Sequence, residues 1–223
     1  MYSRASLITI IESEVLQASE TLGFAHLDPR VRAALCEVPR DALVPPAQRE
    51  LAYADHPLPI GSGQTISQPF IVAIMSQLLQ CRAGDRVLEL GTGSGYQAAI
   101  LAAMGFDVYS VEIVPELAER ARTHLTELGY DQVKVRTGDG WQGWPEAAPF
   151  AGIIVTAAAP RIPQPLLDQL RPGGRLVIPL GAPTEIQDLA VYLKDASGRV
   201  KGHSVLPVRF VPGTGGLGRQ DAP

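Results

Sequence analysis

The chain has 223 residues, a formal net charge of −4 at pH 7, 46% hydrophobic residues and 19% charged residues. These values are ordinary for a globular protein with a substantial core, and the negative charge argues against nucleic acid or an anionic membrane as the main partner. No apolar run approaches the ~18 residues that a membrane span needs, and the first residues follow no signal-peptide pattern.

The two cysteines, Cys36 and Cys81, form no C-x-x-C arrangement and have no histidine at the spacing of metal ligands. We therefore predict two free thiols, no metal site and a cytoplasmic location.

Residues 1–84 are predicted to form helices followed by a proline-rich connector. Apolar residues recur at helical spacing in 6–23, and Asp28 followed by Pro29 is typical of the start of a second helix. The connector, Pro45–Gly63, holds four prolines and two glycines. Prolines restrict the backbone and glycines widen its range, and so many of them together predict an ordered loop whose shape serves a function.

Strands and helices alternate in residues 85–180, a pattern that predicts a parallel sheet covered by helices on both faces. A ligand site is then expected beyond the carboxyl ends of the strands, where the strand order reverses. The predicted strands are Arg86–Leu90, Asp107–Val111, Val133–Arg136, Gly152–Thr156 and Arg175–Leu180, and the predicted helices are Tyr96–Met104 and Pro115–Leu128.

Residues 181–211 are predicted to form an antiparallel β-hairpin at the sheet edge. Leu189–Leu193 alternates apolar and polar residues, a turn follows at Asp195–Gly198, and Val200–Val211 returns along the first strand. Residues 212–223 are expected to be a tail, with about the last eight residues disordered. We expect the whole chain, 1–223, to form a single domain.

A glycine loop, Gly91–Gly95, follows the first strand of the alternating region and leads into a helix. Glycines in such a loop let a ligand approach the backbone and the helix N-terminus closely. The dinucleotide-binding pattern is not met because Tyr96 occupies its last glycine position, and no Gly-Lys-Ser/Thr follows as in a phosphate-binding P-loop. A tight strand–helix turn without a ligand is the alternative.

Glu112 ends the next predicted strand, 17 residues after Gly95. An acidic residue near this interval accepts hydrogen bonds from ribose hydroxyls in nucleotide-binding α/β proteins. The alternative is a negative charge that stabilises the start of the following helix.

The segment Gly63–Pro69, with the sequence GQTISQP, lies just upstream of this loop. Together the two segments resemble the protein-L-isoaspartate O-methyltransferase family, and the resemblance extends from about Leu27 to Val211. The G-x-G-x-G spacing after the acidic strand residue also resembles motif I of class I methyltransferases. The resemblance implies an α/β fold of the class I S-adenosylmethionine-dependent methyltransferases, with a Rossmann-like sheet, N-terminal helices and a C-terminal β-hairpin.

The resemblance also implies an activity and a set of site residues. The enzyme would transfer the methyl group of S-adenosyl-L-methionine to the free α-carboxyl group of L-isoaspartyl residues in damaged proteins and peptides, and would act as a monomer. The implied catalytic residue is Ser67. Implied cofactor-binding residues are Ile66, Ser67, Glu89, Gly91, Thr92, Gly93, Glu112, Asp139, Gly140 and Thr214.

Two of these assignments have structural alternatives. Asp139 would hold the adenine amino group while Gly140 admits the ring, although Asp-Gly is also a common turn. Ser67 is interpreted as a hydrogen-bond donor that positions the acceptor, because an α-carboxylate with a pKa of roughly 3.5 needs no general base. The alternative is that Thr65 and Ser67 cap the helix that follows.

The resemblance places the substrate cleft between Pro57–Ile60 and Phe210–Gly213. One departure is Ala151, where the family usually has an aspartate. Two other functions remain open at this point: a class I methyltransferase that acts on another carboxylate substrate, and a non-catalytic S-adenosylmethionine-binding module.

Overall fold

The computed structural model describes residues 2–182 and 185–218. Its centre is a seven-stranded sheet in the order β5-β4-β3-β6-β7-β8-β9. β3 to β7 run parallel, and β8 and β9 form the antiparallel hairpin at one edge. The strands are β3 (Arg86–Leu90), β4 (Asp107–Glu112), β5 (Lys134–Thr137), β6 (Phe150–Val155), β7 (Leu170–Leu180), β8 (Gln187–Lys194) and β9 (Val200–Val208).

Helices cover both faces of this sheet, so the predicted α/β class with N-terminal helices and a C-terminal hairpin is confirmed. Three of the helices listed below start at a proline, whose missing N–H is no loss in the first turn of a helix. The helices are α1 (Arg4–Gln17), α2 (Ser19–Leu22), α3 (Pro29–Glu37), α4 (Pro69–Leu78), α5 (Tyr96–Ala103), α6 (Pro115–Glu127) and α7 (Gln164–Gln169).

The structure corrects several sequence-based boundaries. The single helix predicted for 6–23 is two helices, because the backbone leaves helical geometry at Ala18. Strand β7 starts five residues before the predicted Arg175, and helix α7 was not predicted because it spans only six residues. The predicted return strand Val200–Val211 ends at Val208.

The connector is more regular than predicted. After two 3₁₀ turns, Arg40–Leu43 and Pro46–Leu51, it forms a two-stranded antiparallel ribbon. The ribbon pairs β1 (Leu58–Gly61) with β2 (Gln64–Ile66). The end of β2 therefore lies at the carboxyl edge of the main sheet.

The last residues that the structure describes are ordered, although a tail was predicted from residue 212 onward. Residues Gly215–Gly218 form a 3₁₀ turn, and the Leu217 side chain is buried. Residues 219–223, which complete the segment expected to be disordered, lie outside the described residues.

Two hydrophobic clusters hold the sheet, one on each face. The larger joins α1, α3, α4 and α5 to one face, and the smaller joins Leu88, Phe150, Leu166 and Leu217 on the other. Ala151, the departure from the family pattern, is buried in the larger cluster. Within the described residues, no helix has the length and hydropathy to cross a membrane.

Candidate active site

A pocket lies where the sheet order reverses, above the carboxyl ends of β3, β4 and β6. The glycine loop forms its floor. Gly91 has φ +97°, and a Cβ atom there would lie 2.4 Å from Thr156 Oγ1. The Thr156 hydroxyl donates to the carbonyl oxygens of Leu90 and Gly91 at 3.0 and 2.7 Å. Only glycine fits between this hydroxyl and the pocket.

Glu112 lies at the end of β4 and lines the pocket with a side chain that is 4% exposed. Its Oε2 accepts the Gly93 N–H at 2.8 Å, and its Oε1 accepts the Val114 N–H at 2.9 Å. The carboxylate therefore fixes the glycine loop to the turn before α6. Each oxygen keeps a second lone pair for a ligand hydroxyl, so the ribose and helix-start interpretations are compatible.

Glu89 does not reach the pocket surface. Its side chain is fully buried beneath the glycine loop, where the Ser110 hydroxyl donates to Oε2. Ser110 in turn lies 2.5 Å from Thr92 Oγ1, and Thr92 lines the pocket. Burial raises the pKa of Glu89 to about 8. Glu89 thus supports the loop from below, through Ser110 and Thr92, and does not itself line the pocket.

Asp139 is another predicted cofactor residue that lies behind the pocket lining. Its Oδ1 accepts the Trp141 N–H at 2.9 Å, and its Oδ2 accepts the Gly216 N–H at 2.8 Å. The carboxylate therefore stabilises an Asp-Gly turn, which is the structural alternative given above for Asp139. It also stabilises the 3₁₀ turn Gly215–Gly218 through the Gly216 N–H.

Gly140 does line the pocket, against an apolar wall. A Cβ atom at Gly140 would lie 3.3 Å from the Leu217 side chain and 3.4 Å from that of Leu90. Thr214 and Leu217 close the same side of the pocket. The pocket therefore brings together eight of the ten predicted cofactor residues: Ile66, Ser67, Gly91, Thr92, Gly93, Glu112, Gly140 and Thr214.

A second cavity, of about 730 Å³, opens on the other side of Ser67. Ser67 and Thr65 line both the pocket and this cavity. The outer walls come from Pro57 and from the segment Leu206–Val211, which spans the end of β9 and the residues after it. Of the predicted cleft segments, Pro57–Ile60 and Phe210–Gly213, only Pro57, Phe210 and Val211 line the cavity. A volume of this size accommodates a small ligand or part of a peptide.

The cap of helix α4 comes from a residue that the sequence analysis missed. Asp55 Oδ1 accepts the Phe70 N–H at 2.8 Å, and Asp55 Oδ2 accepts a hydrogen bond from Gln68 Nε2 at 2.6 Å. Neither Thr65 nor Ser67 makes a side-chain cap of this helix, so that alternative is wrong. The Ser67 hydroxyl remains available to a ligand.

Two arginines, also missed, hold the connector in place. Arg40 is fully buried and donates from Nε to the Ala52 carbonyl at 2.9 Å, with its guanidinium group 4.9 Å from the centre of the Tyr96 ring. Burial lowers the pKa of Arg40 to about 10. Arg120 on α6 donates to the carbonyl of Ile60 in the ribbon. The single sequence carries no signal for these contacts, because their partners are 12 and 60 residues away.

Known proteins resemble this chain along most of its length. The family model for "Protein-L-isoaspartate(D-aspartate) O-methyltransferase (PCMT)" matches residues 12–218. A protein-L-isoaspartate O-methyltransferase 2 from Syntrophobacter fumaroxidans is 56% identical over 214 residues, which cover 96% of this chain and 87% of the relative. A protein-L-isoaspartate O-methyltransferase from Gloeobacter violaceus is 59% identical over 182 residues, covering 82% of this chain and 88% of the relative.

Solved structures show the same fold. A protein-L-isoaspartate O-methyltransferase superposes with a TM-score of 0.84 at 28% identity, covering 97% of this chain and 67% of the other. A putative protein-L-isoaspartate O-methyltransferase from Plasmodium falciparum, in complex with S-adenosyl-L-homocysteine, has a TM-score of 0.79 at 23% identity, covering 96% of this chain and 99% of the other.

Proposed function

The chain belongs to the protein-L-isoaspartate(D-aspartate) O-methyltransferase family, and from this premise we propose how its two cavities divide the reaction. It is a protein-repair methyltransferase that transfers a methyl group from S-adenosylmethionine to the free α-carboxyl group of L-isoaspartyl residues. The pocket at the glycine loop binds the cofactor, and the neighbouring cavity binds the isoaspartyl substrate.

The residues of the pocket fit the cofactor in shape and in hydrogen-bonding groups. The glycine loop leaves no side chain between the backbone and the ligand, and Glu112 offers acceptors to ribose hydroxyls. Gly140 and Leu217 provide an apolar wall for a flat ring. When bound, S-adenosylmethionine supplies an electrophilic methyl group on its sulfonium centre.

Ser67 is the proposed catalytic residue, and the observation that supports this role most directly is its place on the wall shared by both cavities. The acceptor carboxylate is already ionised at neutral pH, so the residue needs to position it and not to remove a proton. The Ser67 hydroxyl donates a hydrogen bond to this carboxylate and aims it at the pocket. The apolar Phe70 and Val208 limit the water that would otherwise solvate the carboxylate.

The test is label transfer from methyl-labelled S-adenosylmethionine to an isoaspartyl peptide and to its aspartyl twin. An aspartyl carboxylate is misplaced by about one bond length, and misplacement by ~1 Å can cost about a hundredfold in rate. We expect at least this preference for the isoaspartyl peptide in kcat/KM. Equal methylation of both peptides would favour a methyltransferase for another carboxylate substrate, and cofactor binding without turnover would favour a recognition module.

We further propose that the protein is a cytoplasmic monomer whose whole chain, 1–223, is one domain, and that it has no nucleic-acid or membrane partner. The free thiols of Cys36 and Cys81 support a reducing compartment, and the net charge of −4 disfavours polyanions. Light scattering coupled to gel filtration tests whether the protein is a monomer.

A further inference from the structure

The substrate cavity contains an acidic side chain that the reaction described so far does not use. Glu14, in the last turn of α1, lines the same cavity as Ser67. Its Oε2 atom is buried and has no hydrogen-bond partner. Among the described residues, none of the ion pairs includes Glu14. Ionisation of Glu14 would cost free energy, because neither a cation nor a hydrogen-bond donor compensates the negative charge at the buried Oε2 atom.

Asp55 is a second acidic side chain in this region. Its carboxyl group is next to that of Glu14. Both Asp55 oxygens accept hydrogen bonds from N–H groups, one from Phe70 and one from Gln68. Because both Asp55 oxygens already accept these N–H groups, Asp55 offers no compensation for a negative charge on Glu14.

We propose that Glu14 is a specificity-determining residue, which lines the cavity as a protonated, uncharged carboxyl group and thereby lets it accept the anionic isoaspartyl group. The proposal rests on the proposed function, which assigns this cavity to the isoaspartyl substrate. Protonated Glu14 places no negative charge on the cavity wall. Ionised Glu14 can only accept, and it repels the substrate carboxylate.

The surroundings of Glu14 support this state. Burial, together with the neighbouring Asp55, raises the pKa of Glu14 to about 7. Helix α4, which packs on α1, contributes no charged residue. Arg209 lines the opposite wall of the cavity, Asp55 and His56 belong to the connector, and Arg40 precedes it. The helices that pack together here also carry charged or titratable residues, namely Arg4 and Glu12 on α1, Glu20 on α2, and Arg30, Arg32, Cys36 and Glu37 on α3, with Arg32 paired to Glu12.

The experiment compares Glu14→Gln, which is permanently uncharged, with the wild type and with Glu20→Gln, which removes the same charge from an exposed residue of α2. The measurement is kcat/KM for an isoaspartyl peptide from about pH 6.5 to 8.5, a range that brackets the Glu14 pKa. Because Glu14 loses its proton near pH 7, we expect the ratio of Glu14→Gln to wild type to rise roughly twentyfold over this range. The change should lie in KM, with kcat and the dissociation constant of S-adenosylhomocysteine unaltered.

The Glu20→Gln variant should follow the wild-type profile throughout. Parallel profiles of Glu14→Gln and wild type would overturn the proposal, and so would a difference confined to kcat. A wild type that methylates no isoaspartyl peptide at any pH would instead overturn the proposed function, and with it the substrate role of Glu14.

Unfolding provides a readout that does not depend on activity. A carboxyl group whose pKa is raised in the folded state stabilises that state below its unfolded pKa of about 4.5, and loses this contribution as pH rises to the folded value near 7. The melting temperature of the wild type should therefore fall relative to Glu14→Gln between about pH 5 and pH 8. A constant difference would show that Glu14 is already ionised at the acidic end of this range and would overturn the proposal.

Discussion

The cofactor pocket and the substrate cavity share Ser67 but are held together by different kinds of interaction. The pocket is built from backbone: a glycine loop, the ends of three neighbouring strands, and a carboxylate that binds two main-chain N–H groups. The cavity is bordered by a connector whose position depends on single side chains, namely Arg40, Asp55 and Arg120. Substitutions on the pocket side should therefore affect cofactor affinity, whereas those on the connector side should affect turnover.

The largest effect is expected at Gly91. An alanine there requires φ near +97° and places Cβ 2.4 Å from Thr156 Oγ1, so we expect Gly91→Ala to lose about 2–4 kcal/mol of unfolding free energy. Binding of S-adenosylhomocysteine should weaken with it. Gly198 has φ +82°, and a Cβ atom there would meet nothing within 4 Å, so Gly198→Ala should lose only about 1 kcal/mol. Equal losses in chemical denaturation would rule out the contact with Thr156 as the cause.

Glu112 tests whether the pocket carries the cofactor affinity. Hydrogen bonds to a charged group are worth roughly 1.5–3 kcal/mol, so Glu112→Ala should weaken S-adenosylhomocysteine binding by about that amount in calorimetry. Glu116→Ala removes an exposed carboxylate from the first turn of α6 and should leave the affinity unchanged. If the folded Glu112→Ala protein binds S-adenosylhomocysteine with wild-type affinity, Glu112 is not part of the cofactor site.

Ser67 lies on the boundary between the two regions. Ser67→Ala removes a donor to the acceptor carboxylate, and we expect kcat to fall about tenfold, equivalent to ~1.4 kcal/mol, with little change in cofactor affinity. Ser62→Ala, in the turn of the ribbon, is the control. If Ser67→Ala lowers the melting temperature but leaves turnover unchanged, the hydroxyl has only a structural role.

Substitution of Asp55 should have the smallest effect in free energy. It should also separate most clearly the cavity, which affects turnover, from the pocket, which affects cofactor affinity. Asp55→Ala removes the cap of α4, which we expect to cost about 1 kcal/mol in unfolding free energy. Turnover should decrease because Ser67 and Gln68 lose their support, while cofactor affinity stays at the wild-type value. The exposed Asp131→Ala is the control. Loss of cofactor affinity in Asp55→Ala would show that the two regions are not independent.

The same contrast explains which parts could be predicted from the sequence. The glycine loop and Glu112 were predictable because their partners are close in the chain or lie at a fixed interval set by the strand–helix–strand unit. Glu89 and Asp139 were also predicted to bind the cofactor, and in the structure each side chain accepts hydrogen bonds from protein hydroxyl or N–H groups and does not line the pocket.

The connector was less predictable because its hydrogen bonds join distant positions. The ribbon strands have only four and three residues, too few to produce a periodic pattern, and Ile60 meets Arg120 only after the fold has formed. The 3₁₀ turn at Gly215–Gly218 was likewise missed because its glycines look flexible until Asp139 accepts the Gly216 N–H.

That turn has a consequence for how the protein is made. Thr214 and Leu217 close the cofactor pocket, yet Leu217 is synthesised 126 residues after Gly91. A growing chain on the ribosome therefore lacks this wall until residue 217 has been added. A chain that stops before Leu217 would therefore lack one wall of the pocket, even with the whole glycine loop in place.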